Sequence, residues 1–151
     1  MFDWLYSIGK TFRLITSNML NHLKGYDIHC SGYYGTPYAT YLGITFIAIT
    51  LVGLALQYFI IDIPPKRPTG TWWLIALIIA LINFIAAYCV IGSSTAPGHH
   101  CKDLSITTLD VIGVCFFNVV CGLFLAMVIT GLPWLRRLST NNVFTTFFKN
   151  N

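Results

Sequence analysis

Two short stretches hold most of the side chains that could do chemistry. His29 and Cys30 form one, and His99, His100, Cys101 and Asp103 the other. Imidazole and thiolate suit zinc or copper, which makes His29, His99 and His100 candidate metal ligands. No Cys-x-x-Cys or His-x-x-x-His spacing accompanies them, so the spacing lends that reading no support. Cys30 and Cys101 can instead close a disulfide, provided that their side of the molecule is oxidising. The third reading leaves all six as plain loop residues. Cys89, Cys115 and Cys121 fall inside apolar runs, where a thiol serves as small apolar filler.

A second set of polar groups lies within those runs. Thr50, Asn83 and Asn118 each sit near the middle of one run, Gln57 lies towards the end of the first, and Asp110 opens the third. A side-chain amide in hydrocarbon is costly unless it is bonded, so each must face protein or water. Hydrogen bonds between helices answer that need within one chain. The sharper reading has Asp110, Asn118 and Asn83 lining a polar path through an oligomer, with Asp110 as an acidic ring that favours cations. Against it, a carboxylate in the first turn of a helix is already explained by the helix dipole. No His-Glu-x-x-His, Gly-x-Ser-x-Gly or phosphate-cradling glycine loop occurs, and no histidine within an apolar run could hold haem. The chain is therefore not expected to be an enzyme, and no cofactor is expected.

The elements that must position these residues follow from composition. Of 151 residues 56% are hydrophobic and only 9% charged, where a soluble domain carries about a quarter charged. Three apolar runs, at about 38–61, 72–92 and 108–132, are each long enough at 1.5 Å per residue to cross a hydrocarbon core of about 30 Å. The expected fold is an all-α integral membrane protein with three transmembrane helices, up-down-up. The nine cations stand in ones and twos near the ends of the runs. Such cations orient helices and meet anionic lipid, and do not signal nucleic acid.

Residues 1–37 precede the bundle, as an amphipathic helix and then a loop rich in tyrosine and glycine. Met1, Leu5, Ile8, Phe12, Ile15 and Met19 recur at helical spacing, with Lys10, Arg13 and Lys24 off the stripe. That pattern predicts a helix lying in the membrane interface or against a partner, ended by Gly25. Bundle residues 38–132 carry their own markers. Thr36, Gly43, Thr50 and Gln57 recur every seven residues and mark a face for protein, whereas Leu42, Ile49 and Leu56 mark a face for lipid. In the second run Ala76, Ala80, Asn83 and Ala87 share a face. Pro64, Pro65 and Pro68 stiffen a short connector, and a polar tail, 133–151, follows the third run.

Lys66, Arg67, Arg136 and Arg137 outnumber Lys24 and Lys102 at the opposite ends. The positive-inside rule thus favours an N-terminus outside and a C-terminus inside, in a bacterial inner membrane or an organellar inner membrane. Tyrosines 33, 34, 38, 41 and 88 mark one interface, and Trp72, Trp73 and Trp134 the other. Three helices enclose too little interior to use every small or polar face. The sequence therefore predicts a non-catalytic structural or accessory subunit, partnered by the lipid bilayer and by other membrane subunits or further copies of itself. The alternative is a self-assembling pore or ion-channel subunit of the membrane-permeabilising type.

Overall fold

The long apolar runs satisfy their backbone polar groups in the only way a single unpaired segment can, as helices. In the computed structural model, which describes residues 2–61, 70–96 and 98–132, five α-helices follow one another. They are α1 (Asp3–Thr11), α2 (Ser17–Leu23), α3 (Tyr38–Leu56), α4 (Gly70–Ser94) and α5 (Thr108–Thr130), and a π-helical turn, Gln57–Ile61, prolongs α3. Three of them hold stretches of 22 or 23 residues long and apolar enough to cross a membrane: Tyr38–Phe59, Trp72–Ser94 and Thr108–Thr130. The chain is an all-helical bundle of membrane-protein character. The proline connector with Lys66 and Arg67, and the tail with Trp134, Arg136 and Arg137, lie outside the described residues.

The single N-terminal helix expected over the first two dozen residues is instead two. Arg13 takes a left-handed backbone, φ 58°, and breaks the run between α1 and α2. The reason is tertiary. Leu14 presses its carbonyl against Gly113 of α5, where no side chain would fit. Thr16 then starts α2 by accepting a hydrogen bond from the Met19 amide at 3.3 Å. The expected stop holds at Gly25, whose φ of +88° and close approach to the Gly35 carbonyl both exclude a Cβ. The buried side of α1 also differs from the apolar stripe. Tyr6 and Gly9 face the bundle, whereas Trp4, Ile8 and Phe12 are exposed.

The three long helices meet at matching levels. Tyr38 at the start of α3 and Ser94 at the end of α4 both touch His22 of α2. Halfway along, Thr50 meets Asn83, and Gly122 of α5 passes beside them. Towards the other end, Leu54 and Gln57 share one small void with Trp72, Ala76 and Ala126. Gly43, Thr50 and Gln57 are turned inward as their spacing predicts, but Thr36 is exposed. Leu42 departs from its expected lipid face and is fully buried. It stands where the short N-terminal helices join the bundle, so both sides of α3 are covered there. Trp72, at the start of the second span, is buried with Ala76 and Leu123 packed on it.

Outside, α4 presents Leu74, Leu77, Leu81 and Ile85, all exposed. In water such a surface would be a liability. In lipid it costs nothing, because acyl chains are as apolar as leucine and association rests on packing and hydrogen bonds.

Candidate functional site

The two histidine- and cysteine-bearing loops come together at the end of the bundle where α2 packs. Cys30 and Cys101 lie at disulfide distance, with Cα atoms 5.3 Å apart across a sequence separation of 71. Cys30 takes a left-handed backbone, φ 57°, inside a tight loop in which the Asp27 carboxylate accepts hydrogen bonds from the Ile28 amide and the Ser31 hydroxyl. Asp103 completes a trio with the two sulfurs, all ligand atoms within 4.8 Å of one another. Two thiols joined as a disulfide lose the thiolate a metal needs, so the trio works as a ligand set only when reduced. Among the described residues it is the one cluster of that kind, and His29, His99 and His100 are not in it. His29 and His99 are exposed.

His100 turns instead towards a histidine that the sequence reading passed over. His22, on α2, is buried, stacks on the Tyr38 ring at 5.2 Å and meets the His100 ring edge-on at 6.2 Å. Its Nε2 lies 3.0 Å from the Ser94 hydroxyl, which also donates to the Ile91 carbonyl at 2.9 Å. That leaves the Ser94 oxygen to accept, with His22 Nε2 as the donor. Burial, reinforced by the neighbouring His100, pulls the His22 pKa down to about 4. The ring is therefore neutral at physiological pH. It joins α2, α3, α4 and the 95–107 loop around one polar centre. The sequence signal was slight: one histidine between Leu20 and Leu23, on a helix read for its apolar stripe.

The polar residues of the spans are also drawn inward. Asn83 donates from Nδ2 to the Thr50 hydroxyl at 3.5 Å, a long bond, while its Oδ1 is buried without a hydrogen-bond partner among the described residues. Gln57 is buried with its Oε1 in the same state. Asn118 accepts from the Tyr6 hydroxyl at 2.6 Å. Tyr6, another residue the sequence reading passed over, is wholly buried and lies against Phe117 with ring centroids 5.7 Å apart. Burial, with a smaller contribution from the Cys121 thiol, raises its pKa far above the usual tyrosine value, against the opposing pull of Asn118. It therefore stays a protonated donor.

Asp110 closes a capping box. Its carboxylate accepts from the Thr107 amide at 2.7 Å and hydroxyl at 2.8 Å, while its own amide donates to Thr107 Oγ1 at 3.4 Å.

No family model, curated protein or solved structure matches the chain.

Proposed function

We propose that this chain is a non-catalytic structural or accessory subunit of an integral membrane complex. One observation carries the reading: the polar side chains of the spans are turned into the bundle, with Asn118 and Asp110 hydrogen-bonded there, and the large side chains left outside are apolar. Tyr6 holds Asn118, Thr107 holds Asp110, and Asn83 reaches Thr50 by a longer bond. Side chains so committed specify how the helices pack. The exterior then meets lipid and neighbouring subunits or further copies of the chain.

In this reading the bundle runs up-down-up. Helix α1 reaches in from one interface as an amphipathic helix packed on α5 through Tyr6, with Trp4, Ile8 and Phe12 towards the acyl chains and Lys10 near its outer end. The N-terminus is outside and the C-terminus inside, in a bacterial or organellar inner membrane. The paired cysteines agree with that orientation, since a disulfide persists on the oxidising side. No metal, cofactor or nucleic acid is required.

The competing reading is a self-assembling pore lined by Asp110, Asn118 and Asn83. For it these side chains, 7%, 2% and 2% exposed, must leave their present partners. Purification in mild detergent separates the two. A subunit co-purifies with other membrane proteins, or is stable only with them, and gives no ion flux in liposomes. A ring-shaped homo-oligomer that passes ions, with cation preference altered by Asp110→Asn, would overturn the proposal.

A further inference from the structure

A wide opening lies beneath α1. It is a cleft of about 930 Å³ between α3 and α5, floored by Phe46 and Ile47 on one side and by Phe117, Val120 and Phe124 on the other. Trp4, Leu5, Ile8 and Phe12 of α1 roof it. Every lining side chain is apolar, the Cys121 thiol included. The lining residues of α3 and α5 come from within the membrane-spanning stretches. The opening therefore sits at hydrocarbon depth, where an acyl chain would make dispersion contacts with all its walls.

The rim adds a charge pattern. The cleft is lined by Phe12 and Leu14, and between them Arg13 turns the chain with its left-handed backbone. Arg13 and the nearby Lys10 are both exposed. An apolar slot lined at one end by a segment that carries two exposed cations matches one class of ligand: an acyl chain attached to an anionic headgroup. A protein helix suits it less well, because the cations would need an acidic residue at the right level, whereas an anionic lipid carries its charge at the interface by construction.

We infer that the cleft beneath α1 binds one acyl chain of an anionic phospholipid, with its phosphate held by Lys10 and Arg13. The inference rests on the membrane-spanning part of the proposed function, and does not depend on which partners the subunit has.

The test uses the full chain reconstituted in phosphatidylcholine vesicles. These carry a trace of phosphatidylglycerol, or in the parallel sample phosphatidylcholine, with a photoreactive diazirine on the acyl chain. Labelled residues are then mapped by mass spectrometry. The expected result is labelling concentrated at Phe46, Phe117 and Phe124 over the open surface of α4 at Leu77 and Leu81, and stronger from phosphatidylglycerol. Val120→Trp, which fills the slot, should abolish the concentrated labelling. Lys10→Gln with Arg13→Asn should remove the headgroup preference, roughly fivefold for each cation; asparagine tolerates the backbone at that position.

Equal labelling of the cleft and α4 from both lipids would overturn the inference, and needs no variant to fold. So would a protected cleft that crosslinks to a second copy or another protein. Cleft labelling without a headgroup preference would overturn the role of Lys10 and Arg13. Failure of the membrane reading itself looks different: Leu77 and Leu81 would then stay unlabelled.

Discussion

Replacing Tyr6 with phenylalanine deletes one oxygen from the join between α1 and α5. The lost bond is short, 2.6 Å, and buried at both ends. Interhelical polar contacts in bilayers average about 0.6 kcal/mol and reach about 1.7. Leaving a buried acceptor without its donor costs about 1–3 kcal/mol. Asn118 Oδ1 has no water in hydrocarbon to replace the phenol, so the upper part of the bilayer range applies, about 1.5 kcal/mol for Tyr6→Phe. Asn118→Leu strands the Tyr6 hydroxyl in turn and should cost about as much. The double substitution removes both polar ends, so its cost should fall short of the sum by about 1 kcal/mol or more. Unfolding in mixed micelles, followed by helicity, measures all four corners of the cycle.

The same pair makes a pH prediction. Burial holds the Tyr6 pKa above that of the unfolded chain. Its contribution is therefore intact below pH about 10, the ordinary tyrosine value, and declines as pH rises further. Tyr6→Phe should flatten that alkaline decline relative to wild type. Strict additivity within about 0.4 kcal/mol, with an unchanged alkaline slope, would refute the claim that α1 is anchored through Asn118.

Three further outcomes follow from the geometry. The His22 pKa is depressed to about 4, so its contribution is complete above the unfolded value of about 6.5 and is lost as pH falls towards 4; with some screening at the bundle end, unfolding at pH 4 should show a loss of about 2 kcal/mol that His22→Gln lacks. Cys30→Ala with Cys101→Ala opens a loop with a sequence separation of 71, which chain entropy values at about 4 kcal/mol, and the wild-type chain should change gel mobility on reduction where the variant does not. In Gly122→Ala the new methyl would stand 2.9 Å from Asn83 Nδ2 and 3.3 Å from Thr50 Oγ1, an overpacking of about 1–3 kcal/mol, whereas Gly92→Ala, whose nearest neighbour is 4.0 Å away, should be neutral or slightly stabilising in the same assay.

Hydrophobic run length and charge scarcity alone decided the all-helical, membrane-type class, because a segment in lipid has no other way to satisfy its backbone. The spacing of Gly43, Thr50 and Gln57 likewise announced one inward face, since a seven-residue repeat keeps the same side towards a neighbour. Which partner each polar group would take was not legible. The Tyr6–Asn118 bond spans 112 positions, and no local pattern encodes a contact so distant. The N-terminal stripe misled for a related reason. Its 3.6-residue period is real, yet the pressure of Leu14 on Gly113 breaks the helix: Ile15 and Met19 of the stripe turn inward, whereas in α1 Tyr6 and Gly9 do so in place of Ile8 and Phe12. His22 and Leu42 are buried because two short helices cover the end of a bundle that the three spans alone would leave open. Composition chose the solvent of this protein; only packing between distant segments decided which of its polar groups that solvent never meets.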